Sequence, residues 1–165
     1  MRRNIVSLVN ANEMRPPVAP LALDYLAGML VANGFQVDVI DLAFAADWKR
    51  ELEVRLAASR PIAVGVTFRN TDDSFWPSGT WFVPRLREIV SHLRTVTEAP
   101  IIIGGCGYSI FPAQILDACG ADLGFAGDNE VAFVELARGL SEQLRIDSVP
   151  GRTGGLIRFH VLVGQ

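Results

Sequence analysis

The stretch Pro100-Ile-Ile-Ile-Gly-Gly-Cys-Gly-Tyr-Ser-Ile-Phe-Pro-Ala-Gln-Ile-Leu-Asp-Ala-Cys-Gly-Ala-Asp-Leu-Gly-Phe125 decides the fold. Pro100 to Ile103 reads as a short strand, apolar throughout, as suits a sheet covered on both faces. A Gly104-Gly105 loop follows, then a helix near Pro112 to Cys119 and a short strand at Ala121 to Phe125. A strand, a helix and a second strand in close succession form a βαβ unit, with parallel strands and a right-handed crossover.

The same alternation extends in both directions. Upstream, Ile5 to Val9 reads as a first strand, and a helix from about Ala19 to Asn33 places Leu21, Tyr25, Leu26, Met29 and Leu30 on one face before Gly34 stops it. Phe35 to Asp41 is a second strand, a helix begins near Asp47, and Pro61 to Val66 is a third strand. The segment from Thr67 to Gly79 is polar and aromatic, and a helix then runs from about Trp81 to Val96. Downstream, a last helix spans about Glu130 to Leu140. The expected fold is α/β: a three-layer, Rossmann-like (flavodoxin-like) arrangement with a five-stranded parallel sheet in the order 2-1-3-4-5. Ligands bind such sheets beyond the carboxyl ends of the strands, so the loops Asn10–Pro17, Thr67–Gly79, Gly104–Ile110 and Ala126–Asn129 should converge on one site. The glycine-bearing tail from Ser148 leads into Leu156 to Val163, which reads as an extra strand.

Composition agrees with this pattern and removes several classes of function. The 165 residues suit one domain, and a hydrophobic content of 50% with a mean hydropathy of +0.28 argues against disorder. Fifteen basic and 18 acidic side chains leave a net charge of -3 and a pI near 5.3, without the basic footprint of a nucleic-acid binder. Met1-Arg2-Arg3 has the charge of a leader peptide, but the apolar run behind it, Ile5 to Val9, is shorter than the ~7–15 residues such a leader needs. Ala99 to Leu116 lacks charge, yet its prolines and glycines deny it the continuous helix that spans a bilayer. The two cysteines, Cys106 and Cys119, lack the paired spacing of a metal site and suit a reducing cytoplasm.

The first loop tests dinucleotide binding, which needs glycines there so that backbone N–H groups can approach a pyrophosphate. Asn10-Ala-Asn-Glu-Met-Arg-Pro-Pro17 has none. Asp41 stands where a ribose-binding acid would be, although a strand-end Asp is equally a solvated terminus. The loop also lacks the hydroxyl-rich run that cradles the phosphate of a flavin mononucleotide. A phospho-receiver would require an Asp at the end of the third strand and paired acids after the first, where Thr67 and Asn10 stand.

Gly104-Gly105 is the most informative backbone feature, because two glycines at a strand's carboxyl end let a large flat ligand approach the main chain. A tight strand-to-helix turn would use them equally well. Their context is more specific: Ile101 to Ser109, then Phe111 to Leu116, then Gly120-Ala-Asp-Leu-Gly-Phe-Ala-Gly-Asp-Asn-Glu130 and Phe133 to Leu136. Together with Pro20 to Leu30 and Gly34 to Asp41, this pattern resembles the cobalamin-binding domains that precede radical S-adenosylmethionine (SAM) domains. The resemblance covers about Ile5 to Leu140 and implies a corrin over the carboxyl ends of the strands, its dimethylbenzimidazole tail running beside Gly104-Gly105. It implies cobalamin (methylcobalamin) as cofactor, with SAM and a [4Fe-4S] cluster in the parent enzyme. Residues 1–145 would be the cobalamin domain and 146–165 a linker or the start of a following domain.

One departure matters physically. Corrinoid proteins of the methionine-synthase type carry Asp-x-His-x-x-Gly after the first strand, whose His ligates cobalt from below, and this chain lacks it. His92 and His160 are badly placed, so the resemblance implies a base-off corrin without histidine ligation. Arg69-Asn-Thr-Asp-Asp73 resembles the subset of the family that includes the tryptophan 2-C-methyltransferases, in which this loop lies under the corrin. Arg69 would then fill the lower axial face without coordinating, since a protonated guanidinium has no lone pair to give. The alternative is that Arg69 pairs with Asp72 or Asp73.

The cofactor contacts implied are Asn12, Thr67, Arg69, Asn70, Asp73, Gly104, Gly105, Cys106, Gly107, Tyr108, Gly127 and Asn129. Trp76 and Trp81 would form an aromatic wall, a domain interface or simple packing. Cys119 reads as a core residue, and Asp128 and Glu130 also suit the first turn of a helix. The chain has no Cys-x-x-x-Cys-x-x-Cys run, so by itself it should bind and not catalyse. The resemblance implies as partner a radical SAM domain of a methyltransferase, in cis or in trans, with no nucleic acid and no membrane. The rival reading is a flavodoxin-like nucleotide-binding or interaction module without corrinoid.

Overall fold

The computed structural model describes residues 4–128 and 130–142, together with the backbone of 160–162. Five strands, β1 (Ile5–Asn10), β2 (Gln36–Asp41), β3 (Ala63–Thr67), β4 (Ile101–Gly104) and β5 (Leu123–Ala126), lie all parallel in the order 2-1-3-4-5. The backbone of His160–Leu162 adds a sixth parallel strand, β6, beside β5. The remainder of the tail lies outside the described residues.

Helices cover both faces. On one side α1 (Leu21–Ala32) and α6 (Glu130–Ser141) pack over Leu8, Ala63, Ile102, Leu123 and Phe125. On the other, α2 (Trp48–Ser59), α3 (Val83–Val96) and α5 (Pro112–Cys119) close over Val9, Ile40, Val64, Val66, Ile101 and Ile103. Adjacent residues of β4 therefore belong to opposite cores, which explains its unbroken isoleucines.

Local chemistry sets many boundaries. The Asp47 carboxylate accepts the Arg50 N–H at 3.0 Å and starts α2 as an N-cap. Gly34 follows α1 at φ +84° and Gly120 ends α5 at φ +71°, conformations that a β-carbon disfavours. Asp122 holds the entry to β5: its carboxylate accepts the Ile101 N–H at 2.7 Å and pairs with Arg94 at 2.6 Å.

Three expectations change. The buried face of α1 is set by Leu23 and Leu30, with Leu26 and Met29 half-buried, whereas Leu21 is 65% and Tyr25 72% exposed. This helix is apolar nearly all round, so periodicity does not select its inward face. The Gly104–Ile110 segment contains a short helix, α4 (Cys106–Ile110), rather than a loop. Its Gly107 and Tyr108 N–H groups both donate to the Phe68 carbonyl, at 2.9 and 3.2 Å, a partner distant in sequence. Finally, α3 begins at Val83 and not near Trp81. The Phe82 N–H donates to the Thr71 carbonyl at 2.8 Å and Trp81 bridges Asp72, tying both residues to the preceding loop.

Candidate functional site

A cavity of about 410 Å³ opens at the carboxyl ends of β3, β4 and β5, between the sheet and the α1 and α6 helices. Leu8, Leu23, Ile102, Phe125 and Phe133 form its apolar interior. Thr67, Gly104, Gly105, Cys106 and Gly127, all singled out in the sequence, also line it, as do Asp128 and Glu130 where β5 passes into α6. The topology places these groups together, because parallel strands bring their following loops to one edge.

The glycines differ in what they do. A β-carbon on Gly105 would lie 2.8 Å from the Phe68 carbonyl oxygen, and φ is +105° there, so folding alone demands glycine. On Gly107 it would meet the Arg69 carbonyl carbon and the Asn70 nitrogen at 2.9 Å, because α4 packs directly on that loop. Gly104 has no such reason. Its nearest neighbour within 4 Å would be the Phe125 carbonyl oxygen at an ordinary 3.6 Å, so protein packing does not forbid a side chain there. Its bareness keeps the cavity wall open.

One polar side chain at the opening is committed to the fold. Ser109 Oγ donates to the Gly105 carbonyl and accepts the Gly127 N–H, both at 2.9 Å, fastening α4 to the turn after β5. Thr67, the last residue of β3, is half-buried on the cavity wall. Cys106 is exposed there, whereas Cys119 is buried at the end of α5 and its thiol is pushed up to about 11 by that burial.

Other expected contacts stand elsewhere. Arg69 is exposed and makes no ion pair among the described residues; Asn70 beside it is half-buried. Asp72 accepts the Ser74 N–H at 2.7 Å, and Asp73 accepts the Phe75 N–H at 3.0 Å and the Ser78 hydroxyl at 2.7 Å. These bonds, led by the Ser78 hydroxyl, lower the Asp73 carboxyl to about 2 and spend both acids on the loop's own turns. The supposed pairing of Arg69 with either acid is therefore not formed.

Asn12 is buried in the first loop, where its side-chain oxygen accepts the Met14 N–H at 3.0 Å. Asp41 accepts from the Asn10 side-chain amide at 2.8 Å and the Ala43 N–H at 3.0 Å, which accounts for it as a cap. Tyr108 is on the far face of the sheet, away from the cavity, fully buried against Gly124. Its hydroxyl has no hydrogen-bond partner among the described residues, and burial pushes it up to about 12. Trp76 is 91% exposed and so does not pack on a helix below, whereas Trp81 is about half exposed. Asn129 lies outside the described residues. Sequence reasoning missed the apolar interior, since Leu8, Ile102 and Phe133 carry only the signal of core residues.

A model of the B12-binding domain matches residues 8–137. The chain belongs to the B12-binding domain family. Tryptophan 2-C-methyltransferase of Streptomyces laurentii is 38% identical over 150 residues, covering 90% of this chain and 25% of that protein. The chain thus spans a quarter of the length of that curated relative. TsrM from Kitasatospora setae, a radical S-adenosylmethionine methyltransferase solved with cobalamin and a [4Fe-4S] cluster bound, superposes with a TM-score of 0.83 at 40% identity over 90% of this chain and 26% of its own. OxsB, a cobalamin-dependent S-adenosylmethionine radical enzyme solved with aqua-cobalamin and S-adenosylmethionine, shares the fold with a TM-score of 0.61 at 19% identity, over 87% of this chain and 20% of its own. In this B12-binding domain, the apolar cavity and the uncovered Gly104 fit a flat aromatic base.

Proposed function

We propose that this B12-binding domain holds cobalamin base-off, its nucleotide tail in the cavity and its corrin over the carboxyl ends of the strands. The observation that carries the reading is Gly104: a strand-end glycine without a packing reason, bordering an apolar cavity large enough for an aromatic base. Thr67, Gly105, Cys106 and Gly127 would contact the tail, and Asn12, Asn70 and Asp73 belong to loops at the same edge of the sheet. Asn129 is proposed with them from the sequence alone.

The absence of a lower histidine has support in the placement of His92. Its Nε2 is 3.3 Å from the Lys49 carbonyl oxygen, and its ring stands edge-on to Trp48, where α2 and α3 meet behind the sheet. Arg69 is exposed on the loop after β3 and pairs with no acid among the described residues, consistent with a guanidinium beneath the corrin. Such a group occupies space and repels a cationic ligand but donates no electron pair to a metal.

The cofactor would supply a cobalt centre able to carry a methyl group. This chain's residues would bind and orient it and keep water from its tail. The parent protein would be a cobalamin-dependent radical SAM methyltransferase, with residues 146–165 as the connection or the start of the next domain and the cluster and SAM held by a radical SAM domain in cis. Its substrate would be bound mainly by that domain, in the cytoplasm.

The test is to mix the full chain with hydroxocobalamin, desalt, and record the visible spectrum. Retained corrin absorbance of base-off form is expected, and none retained would refute the reading. Arg69→Ala should keep the fold while altering the cobalt spectrum; an identical spectrum would remove Arg69 from the lower face.

A further inference from the structure

We infer that the cavity selects among corrinoids by the polarity of the nucleotide base, accepting a benzimidazole and rejecting a purine. This inference rests on the proposed binding of cobalamin and adds the class of corrinoid to it. Size alone does not discriminate, since about 410 Å³ admits either bicyclic base. Chemistry does. The interior is made of Leu8, Leu23, Ile102, Phe125 and Phe133, none of which has a side-chain polar atom, and each is nearly or wholly buried.

The six-membered ring of dimethylbenzimidazole is all carbon with two methyl groups, so it matches such walls. An adenine base places two ring nitrogens and an exocyclic amine in the corresponding ring. Buried polar groups without partners incur their full desolvation penalty. The strand backbone offers little relief, since the N–H and C=O groups of β3 and β4 are committed to the sheet ladder. Ser109 Oγ already donates to Gly105 and accepts from Gly127. Asp128, exposed in the turn after β5, and Glu130, half-buried at the start of α6, also line the cavity; ionised carboxylates only accept hydrogen bonds, so they could serve the exocyclic amine but not the two ring nitrogens. The Thr67 hydroxyl, without a hydrogen-bond partner among the described residues, can donate to one ring nitrogen and leaves the other unmatched.

Equilibrium dialysis of the full chain against three corrinoids tests this, with binding followed by corrin absorbance. The ligands are hydroxocobalamin, its adenine-based counterpart, and cobinamide, which lacks the nucleotide. Cobalamin should bind at least about tenfold more tightly than the adenine form, the equivalent of one unmatched buried polar group. Cobinamide should also bind more weakly than cobalamin. Equal or tighter binding of the adenine form would overturn the selectivity while leaving corrinoid binding intact. Equal binding of all three would show that the base does not enter the cavity. Binding of none would instead refute the cobalamin reading on which the inference stands.

Discussion

Gly104 and Gly105 are neighbours in sequence, yet different forces require them. Gly105 is compelled by φ +105° and by the Phe68 carbonyl, so any side chain there strains the fold. At Gly104 the backbone is ordinary β-strand and a side chain would project beside the cavity. Gly104→Val should therefore fold normally by circular dichroism but retain hydroxocobalamin at least about tenfold more weakly, a loss equivalent to ~1.4 kcal/mol. Unchanged affinity in a folded variant would detach Gly104 from the ligand. The two cysteines make a second contrast. Cys119 is buried, and its raised thiol holds little thiolate at neutral pH, whereas Cys106 is exposed on the cavity wall. Iodoacetamide should label Cys106 first and Cys119 only on unfolding, and bound cobalamin should slow the labelling of Cys106. Mass spectrometry of the digested protein distinguishes the two sites.

At the scale of elements, the loop from Thr71 to Phe82 is organised by its acids. Asp73 is held near a pKa of about 2, below the usual 3.8, first by the Ser78 hydroxyl and then by the Phe75 N–H. A carboxylate depressed in the folded state contributes stability that is fully present above its unfolded pKa and is lost as pH falls through the folded value. Loop order should thus persist down to about pH 4 and decay between about pH 4 and 2. Tryptophan fluorescence, with Trp76 and Trp81 in this loop, should report that transition, and Asp73→Asn should abolish it. An acid transition unaltered in the variant would assign it to other groups. The helices and strands themselves were largely legible from local pattern. Where reading and structure part, at α4 and at the start of α3, the deciding hydrogen bonds come from Phe68 and Thr71, residues that local pattern does not connect to those helices.

For the whole molecule, the cavity is a gap between two packed layers, and its occupant would join α1 and α6 to the sheet. A ligand that binds only the native state raises stability by mass action, by ~2.7 kcal/mol at a hundredfold excess over Kd. For a chain of this size, that should raise Tm by roughly 5–10 °C when hydroxocobalamin is added at such excess. A scanning calorimetry trace without a shift would argue against native-state binding. Among the described residues no helix is long and apolar enough to cross a membrane. Exposed Leu21 and Tyr25 leave α1 with an apolar outer face.

The alternation of short apolar strands with helices was enough by itself to determine a parallel sheet covered on both faces, because crossover handedness and strand burial leave few other arrangements, and it pointed to the order 2-1-3-4-5 that the structure has. The sequence also determined which loops share an edge, and its glycines and the Arg69–Asp73 run pointed toward a cofactor there. Tertiary structure alone decided what each candidate does. It sent the Tyr108 ring to the opposite core, turned Asp72 and Asp73 back into their own loop, and separated glycines required by backbone contacts from the one that leaves space. It also assembled the cavity interior from Leu8, Ile102, Phe125 and Phe133, on three strands and a helix. Hydrophobic periodicity records that such residues face inward, but whether they meet one another or enclose a space depends on how far apart the layers are held.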